Sequence, residues 1–393
     1  MLSVKDLDVL GKKIFLRVDF NVPLDEENNI RDDTRILAAL PTLNYLLEHG
    51  AKVVVASHLG RPKGKFNPEF STKPAAERLA ELIPQKVIQA ADVVGDEVET
   101  MKAQLKEGQV LFLENLRFYP GEKENAPEFA IQLAQSIDYY VNDAFGACHR
   151  SHASIVGIPL HVQKSAAGFL VSKEVEYLSK AVHSPQKPYV SILGGAKVSD
   201  KIPVIESLMY KADNILIGGA MAYTFFSAQG FGVGRSRVEE DMKDMSLNLL
   251  DKAKSTGVNF LLPQDHIVAA AIDPGAEERI IQEFPIPTDL MALDIGPQTI
   301  DKYKSVIATA KTIFWNGPMG VFEIDKFGKG TEEVAKAVAD SDAVSIIGGG
   351  DSVAAVLKAG VSGKISHIST GGGASLEYIA NETLPGLEVL AEK

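Results

Sequence analysis

The chain has 393 residues, of which 45% are apolar and 23% charged, and its formal net charge is −12. This length suits two or three domains, and the acidic balance disfavours a nucleic-acid or anionic-membrane partner. The amino-terminal stretch has no apolar signal core, no apolar run is long enough to span a bilayer, and the single cysteine, Cys148, fits a reducing compartment. We therefore expect a cytoplasmic enzyme.

Apolar strands alternate with amphipathic helices along the chain. In the first half the pattern predicts strands over 12–20, 51–58, 110–115 and 138–143, with helices over 34–50, 72–83 and 126–137. Pro41 would kink the first helix or define its first turn. Six apolar runs form the strands of the second half, and they are continuous rather than alternating, which indicates sheets covered on both faces. The predicted fold class is α/β, with two doubly wound parallel-sheet, Rossmann-like domains joined by a helical hinge.

The connection between these domains is visible in composition. A Glu/Lys-rich helical stretch is followed by Pro185 and Pro188, which would break it. We expect an N-terminal domain over residues 1–167, a hinge connector over 168–190 and a C-terminal domain over 191–374.

Four apolar strands of the second half run into glycine clusters before a helix, at 191–201, 215–225, 345–355 and 366–378. Glycine lets backbone approach a ligand closely, and helix N-termini favour anionic oxygens. Four such turns at one sheet edge suggest a polyphosphate site. Lys197 and Lys201, one helical turn apart, would share a helix face and reach the same phosphates.

Other features of this half limit the choice of nucleotide fold. Neither a P-loop nor a clean dinucleotide fingerprint is present. Asp351 and Ser352 could be simple helix caps, or a Mg²⁺ ligand and a phosphate contact.

Polar residues gather after the strands of the first half. They are Asp19, Asn21, Arg35, His58, Gly60, Arg61, Arg117, His149, Arg150 and His152. Any one arginine could be an ordinary surface residue, but together they would form a basic pocket for a small polyanion. Zinc at Cys148, His149 and His152 is the alternative, and their close spacing without a second ligand pair disfavours it.

The motifs RVDFNVP, SHLGRP and ENLRF, and the turn at 147–152, are similar to the substrate-side motifs of the phosphoglycerate kinase family. GGAKVSDK, IGGAMAYTF, WNGPMGVFE, GGGDS and STGGGASLE resemble its nucleotide-side motifs, in family order from about residue 17 to 378. The resemblance implies binding of 3-phosphoglycerate or 1,3-bisphosphoglycerate by the N-terminal domain and of Mg²⁺ with ADP or ATP by the C-terminal domain. It also implies that the tail, residues 375–393, returns to the N-terminal domain and that the protein is a monomer.

The resemblance also assigns residues. The phosphoglycerate would be held by Asp19, Phe20, Asn21, Arg35, His58, Leu59, Gly60, Arg61, Arg117 and Arg150. The nucleotide would be held by Gly195, Lys197, Lys201, Gly218, Gly219, Ala292, Asn316, Glu323, Gly349, Gly350, Asp351 and Ser352, with Asp351 on the magnesium. Gly371, Gly372 and Gly373 would stabilise phosphate oxygens. Two positions depart from the pattern: Ala292 stands where many relatives have glycine, and Ser352 where others have threonine.

The implied reaction is in-line transfer of the phosphoryl group of an acyl phosphate to the β-phosphate of ADP, giving 3-phosphoglycerate and ATP in glycolysis, with Arg35 and Lys197 stabilising the transferring group. Because the substrates would lie on different domains, the connector would act as a hinge. Two rival hypotheses are a nicotinamide-dependent dehydrogenase and a non-catalytic nucleotide-binding regulator. The first lacks its fingerprint and leaves the arginine cluster unexplained, and the second needs only the C-terminal half.

Overall fold

A computed structural model describes residues 1–391 and divides the chain into two units. The N-terminal unit consists of Met1–Glu176 and of the chain from Thr383 onward, and the C-terminal unit is Tyr177–Glu382. The predicted connector, 168–190, contains the first change of unit. The predicted tail, 375–393, contains the second, although its last two residues lie outside the described part of the chain.

The N-terminal unit is built on six parallel strands in the order β3-β4-β2-β1-β5-β6. They are β1 Lys13–Val18, β2 Lys52–Ala56, β3 Val87–Gln89, β4 Val110–Phe112, β5 Tyr139–Asp143 and β6 Lys164–Ala167. The central strands β1, β2, β4 and β5 are almost entirely buried, as continuous apolar runs require. The short strands β3 and β6, which the sequence pattern does not reveal, form the edges.

Helices of the N-terminal unit connect these strands. They are α1 Thr34–Glu48, α2 Lys73–Leu82, α3 Asp96–Gln104, α4 Pro120–Glu124 and α5 Pro127–Ala134. Pro41 lies inside α1, so it does not define the first turn of that helix. Apolar residues of α1 and α2 pack with β1 and β2 in one core that includes Leu43, Leu46 and Leu79.

The C-terminal unit has its own sheet of six parallel strands, in the order β15-β14-β13-β7-β8-β9. They are β7 Tyr189–Leu193, β8 Asn214–Ile217, β9 Asn259–Leu261, β13 Thr312–Asn316, β14 Val344–Gly348 and β15 His367–Ile368. These are the six strands that the sequence predicts, so the fold class is confirmed.

A second, antiparallel sheet of the C-terminal unit is not predicted by the sequence pattern. Its strands are β10 His266–Ala269, β11 Arg279–Ile281 and β12 Met291–Ile295, in the order β11-β10-β12. The strands are short and β11 is mostly exposed, so neither hydrophobic run length nor clear alternation marks them.

The helices of the second half complete the α/β pattern. Helix α6, Phe169–His183, contains the boundary between the units at Glu176 and Tyr177. The others in the C-terminal unit are α7 Ile202–Leu208, α8 Met221–Ala228, α9 Lys243–Thr256, α10 Pro297–Ile307, α11 Lys329–Asp340, α12 Gly350–Lys358 and α13 Gly373–Asn381. Within residues 1–391, no helix combines the length and the apolar character needed to cross a membrane.

The final helix, α14 Pro385–Ala391, packs in the N-terminal unit through backbone contact at Gly386. The N–H of Gly386 donates to the carbonyl oxygen of Cys148 at 2.9 Å. A Cβ on Gly386 would lie 2.7 Å from a methyl group of Ile155 and 3.0 Å from the Cα of Cys148. The helix can therefore approach this closely only with glycine at this position.

We expect Gly386→Ala to lower the free energy of unfolding of the N-terminal unit by about 1–3 kcal/mol, because the added methyl group overpacks a backbone contact. Chemical denaturation followed by circular dichroism measures the change. The matched control is Glu388→Ala on the exposed side of the same helix, which should shift stability by less than about 0.5 kcal/mol. Equal stability of the two variants would show that α14 moves away from Cys148 at little cost.

Candidate functional site

The four glycine clusters of the second half lie beyond β7, β8, β14 and β15, which belong to one parallel sheet. The prediction that they share one sheet edge is therefore confirmed. After β8, β14 and β15 a helix begins within about one turn, at Met221, Gly350 and Gly373. The N-terminal N–H groups of these helices are therefore close to the same edge, where they favour anionic oxygens.

The first cluster behaves differently from the prediction. Helix α7 begins only at Ile202, so Lys197 and Lys201 precede it and do not share one of its faces. The expectation of one helical face is wrong. The intervening turn is held instead by Ser199, whose N–H and hydroxyl both donate to Glu239, at 3.1 and 2.6 Å.

The two lysines differ in environment. Lys197 is exposed, whereas Lys201 is partly buried. Burial lowers the pKa of Lys201, while the carboxylates of Asp200 and Asp351 oppose that effect. An ammonium group that has lost hydration in this way has more to gain from an anionic ligand.

Backbone segments meet without intervening side chains at this edge. The N–H of Gly195 donates to the carbonyl of Pro318, and the N–H of Gly219 donates to that of Met319. Gly219 has a φ of +68°, and a Cβ there would lie 2.5 Å from the N and O atoms of Gly195. Only glycine suits such a position, for both its φ and its space.

These turns enclose a cleft of about 230 Å³ within the C-terminal unit. The predicted nucleotide-site residues that line it are Gly195, Gly219, Ala292, Glu323 and Asp351. The lining residues that the sequence prediction missed include Tyr223, Asp294, Pro318 and Met319. The cleft combines apolar and backbone surface with three carboxyl groups, and this lining suits a ligand that joins a flat, apolar ring to a polar body.

Asn316 and Ser352, both predicted nucleotide contacts, are buried and bind other loops. Asn316 Nδ2 donates to the carbonyl of Gly348 at 2.8 Å, and the N–H of Gly317 donates to Ser352 Oγ at 2.6 Å. Both side chains therefore fasten the turn after β13 to the β14–α12 junction. Of the remaining predicted residues, Gly218 lies next to Met319, which leaves no room for a Cβ there. Gly349, Gly350, Gly371, Gly372 and Gly373 lie at the starts of α12 and α13.

A buried carboxyl group, that of Asp294, supports one wall of the cleft. Its two oxygens accept from the N–H groups of Ile295 and Gly330, at 2.9 and 2.7 Å. Burial raises the pKa of Asp294 to about 8, and the two hydrogen bonds only partly offset this. Asp294 lies within β12 near its carboxyl end, and the sequence pattern does not reveal it as a site residue because the short strand β12 is itself not apparent in the sequence.

The N-terminal unit has a pocket of about 340 Å³ whose lining is cationic. It is lined by Arg61, Pro62, Lys63, Arg117, Lys123, Arg150 and His152. The structure thus brings together three of the predicted arginines and His152. Lys63 and Lys123 were missed, because neither directly follows a strand.

The cations of this pocket repel one another. Burial lowers the pKa of Arg150, and the positive charges of Arg17, Arg61 and Arg35 lower it further, while Asp19 acts in the opposite direction. Arg117 donates through Nη1 to the carbonyl of Gly60 at 2.7 Å, but its Nε is buried without a hydrogen-bond partner among the described residues. An anionic ligand would relieve the repulsion and satisfy such a donor.

A network of polar bonds joins the loops that carry the other predicted residues. Asn21 Oδ1 accepts from the N–H of Gly60 at 2.8 Å, and Asp19 Oδ2 accepts from Arg35 Nη1 at 2.7 Å. Asp19 Oδ1 also lies 3.8 Å from His58 Nδ1. The loops after β1 and β2 and the start of α1 are therefore fixed relative to one another.

Two predicted substrate-site residues have side chains that point into the protein. Phe20 is 1% exposed and belongs to the hydrophobic core, where its ring packs near that of Phe112. Leu59 is 4% exposed, and its N–H and carbonyl both bind the side chain of Asn115. A contact from either residue to a ligand would have to come from its backbone.

The cationic pocket and the glycine-walled cleft define an α/β protein of the class that binds small phosphorylated molecules. A family model described as phosphoglycerate kinase matches residues 4–382. The phosphoglycerate kinase of Anaeromyxobacter sp. is 54% identical over 390 residues, covering 99% of this chain and 98% of its own. A relative from Nicotiana tabacum, named as the cytosolic phosphoglycerate kinase, is 53% identical over 99% of this chain and 97% of its own.

Solved structures agree with the sequence relatives. The structure of phosphoglycerate kinase from Coxiella burnetii matches with a TM-score of 0.89 at 39% identity, over 100% of this chain and 98% of that one. That from Pyrococcus horikoshii matches with a TM-score of 0.83, also at 39% identity and with the same coverage. The chain belongs to the phosphoglycerate kinase family. Its activity is the glycolytic reaction of that family, transfer of a phosphoryl group between 1,3-bisphosphoglycerate and ADP, and it is a phosphotransferase with a carboxyl-group acceptor.

We expect Gly219→Ala to weaken ADP binding by at least about tenfold, because the methyl group strains a left-handed residue and overpacks the contact with Gly195. Isothermal titration with ADP measures the change. The control is Gly363→Ala, at an exposed position with ordinary φ where an added Cβ meets nothing within 4 Å. Unchanged affinity in Gly219→Ala would show that the cleft adapts to the methyl group without cost to the ligand.

Proposed function

We propose that the two substrates divide between the units, the phosphoglycerate binding in the cationic pocket of the N-terminal unit and the nucleotide in the cleft of the C-terminal unit. The observation that carries this proposal is the cationic pocket itself. Five Arg or Lys side chains line it in a protein whose formal net charge is −12. A cluster of that kind is costly without an anionic ligand.

The proposed roles of the pocket residues follow from their donors. Arg61, Arg117 and Arg150 present planar forks of N–H groups that suit the phosphate and carboxylate of a phosphoglycerate. Arg117 Nε is a buried donor without a hydrogen-bond partner among residues 1–391, and we assign it to a ligand oxygen. Lys63 and Lys123 add charge at the same pocket.

Arg35 is proposed to act on the transferring phosphoryl group. Its side chain remains 37% exposed while Asp19, which is 11% exposed, holds Nη1 at 2.7 Å. One end of the guanidinium is therefore fixed and the other donors stay available. Asn21 and His58 complete the proposed phosphoglycerate contacts through the loops described above.

The nucleotide is proposed to bind against Gly195, Gly219 and Ala292, with Glu323 positioned to accept hydrogen bonds from ribose hydroxyl groups. The N-termini of α12 and α13 are proposed to face its phosphates, together with Lys197 and Lys201. The remaining predicted contacts, Gly218, Asn316, Gly349, Gly350 and Ser352, are proposed to shape this site rather than to supply charge.

Asp351 is the residue proposed to hold Mg²⁺. Its carboxylate is exposed in the first turn of α12 and lines the cleft, and carboxylate oxygen is the ligand type that Mg²⁺ prefers. Within residues 1–391 no group of three or more His, Cys, Asp or Glu side chains is arranged so that it could hold a metal ion by itself. The remaining ligands would then be phosphate oxygens and water, which suits this ion. When bound, the ion would neutralise charge on the phosphates.

The chemistry asks little covalent work of the protein. The acyl phosphate passes its phosphoryl group in line to the β-phosphate of ADP, and the leaving carboxylate is a stable anion, so no general base is needed. Arg35 and Lys197 are proposed to stabilise the charge on the transferring group. Transfer requires the two bound substrates to come into contact. We propose that the connector predicted over 168–190 acts as a hinge for the movement that this requires.

Two further proposals concern the state of the protein. We propose that it is a monomer, as the family pattern suggests, and that it acts in the cytoplasm, as the name of the Nicotiana tabacum relative indicates for that protein. Sedimentation at micromolar concentration with both substrates present tests the first proposal directly.

The assignment of roles is tested by Mg²⁺-dependent ATP formation from ADP and 1,3-bisphosphoglycerate. We expect Arg35→Ala and Lys197→Ala each to lower kcat on the order of 10²-fold or more, since each removes a cation from the developing charge. Matched controls are Arg31→Ala and Lys302→Ala, which remove exposed cations of the same units outside both sites.

The possible results separate the parts of the proposal. Loss of kcat in the two site variants but not in the controls would support both assignments. Unchanged kcat in either site variant would overturn the role of that residue. Comparable loss in the controls would mean that net charge, rather than position, controls the rate.

A further inference from the structure

A buried arginine beside the cationic pocket has no role in the proposed function. Arg17 lies near the end of the central strand β1 and is 0% exposed. Burying a guanidinium is costly unless each donor finds a partner. The partners of Arg17 therefore indicate what the residue does.

On one side Arg17 is tied to a buried carboxylate. Its Nε donates to Ser154 Oγ at 2.8 Å, and the Ser154 hydroxyl donates to Glu122 Oε1 at 2.6 Å. Glu122 is fully buried, and burial by itself would raise its pKa. His152, whose Nδ1 lies 3.6 Å from Glu122 Oε1, the charge of Arg17 and the hydrogen bonds from Ser154 nevertheless hold the pKa of Glu122 below its usual value. The negative charge of Glu122 thus compensates the positive charge of Arg17, and the Ser154 hydroxyl group connects the two side chains.

On the other side Arg17 reaches the predicted substrate residue His58. Arg17 Nη2 lies 3.1 Å from His58 Nδ1, and Nη1 donates to the carbonyl of Val18. A guanidinium has five N–H donors and no acceptor. The nitrogen that faces it must therefore carry the lone pair, and the proton of a neutral imidazole must be on Nε2.

The charges around His58 oppose its protonation. It is 3% exposed, and burial lowers its pKa well below the usual value, followed by the positive charges of Arg17, Arg150, His152 and Arg35. The opposing groups are Asp19, 3.8 Å from Nδ1, and Glu122 on the far side of Arg17 and Ser154.

We propose that Arg17 is a positioning residue that fixes His58 as the neutral Nε2–H tautomer, so that His58 offers the phosphoglycerate a single N–H donor. The assignment of the tautomer stands on the geometry alone. Its consequence for the substrate rests on the proposed function, in which His58 contacts the phosphoglycerate. His58 then serves as a fixed donor whose charge does not change across the physiological pH range, in a pocket that is already crowded with cations.

The tautomer is measured directly in the full-length protein labelled with ¹⁵N-histidine. Two-bond ¹⁵N–¹H correlation spectra distinguish Nε2–H, Nδ1–H and imidazolium rings, and the His58→Gln variant identifies the signals of His58. We expect the Nε2–H pattern, unchanged from pH 5.5 to 8. An Nδ1–H or imidazolium pattern at pH 7 would overturn the proposal, whatever the activity.

Three variants separate position from charge. In Arg17→Met the donor and the cation are both lost, so we expect His58 to show mixed tautomers and to become protonated at higher pH. In Arg17→Lys the charge remains, so His58 should stay neutral with a weaker tautomer preference, because an ammonium group lacks the planar fork. Ser154→Ala removes the acceptor of Arg17 Nε and the hydroxyl link to Glu122, but it keeps the guanidinium whose Nη2 faces His58, so the tautomer should stay unchanged.

The control distinguishes a specific role from general disruption. A change of tautomer in Ser154→Ala equal to that in Arg17→Met would contradict the assignment to Arg17. If Arg17→Met does not fold, the comparison of Arg17→Lys with Ser154→Ala, together with the wild-type spectra, still decides the question.

Kinetics tests the consequence for the substrate. The KM for 3-phosphoglycerate in Arg17→Met should rise about tenfold at pH 8, the size of one lost hydrogen bond, with a smaller change in kcat. The ratio of this KM to that of wild type should fall between pH 8 and pH 6, because a protonated His58 again donates, and the His58→Gln variant should show no such pH trend. Confirmed spectra with an unchanged KM in His58→Gln would keep the role of Arg17 but reject His58 as a substrate contact.

Discussion

In each six-stranded sheet every strand runs parallel to its neighbours, and the rest of the structure depends on this constraint. Parallel pairing brings the carboxyl ends of all strands to one edge, so residues far apart in sequence meet in the loops that follow. The arginines of the N-terminal unit and the glycine turns of the C-terminal unit are gathered in this way. The connecting helices cover the faces, which leaves that edge as the place where ligands can bind.

At that edge the two units solve different physical problems. The C-terminal unit brings backbone against backbone, as where Gly219 meets Gly195, so its cleft is walled by groups that have few ways to move. Its carboxylates are few, and one of them, Asp294, is kept buried where it supports the wall. A rigid, weakly charged cleft suits a ligand that must be oriented for in-line transfer.

The N-terminal unit instead concentrates positive charge in one pocket, and buried and partly buried carboxylates compensate part of that charge. Arg17 and Glu122 are both fully buried below the pocket and balance each other through Ser154. Asp19 does the same nearer the surface for Arg35. Positive charge that is anchored in this way keeps its direction, and it is available to a polyanion without reorganisation when the ligand binds.

The sequence by itself determined the fold class, the strands of both parallel sheets apart from two edge strands, and the family. It also indicated three arginines that the structure places around one pocket. The strands could be predicted because long apolar runs mark them locally, and the arginines could be predicted because they come shortly after such runs. Only the tertiary structure decided the rest. Helix α7 begins at Ile202 rather than at the diglycine, since contacts of Ser199 with the distant Glu239 hold the turn open. The antiparallel sheet, the two pocket lysines and the bond between Arg17 and His58 depend on partners brought together from separate segments, and no local pattern records such partners.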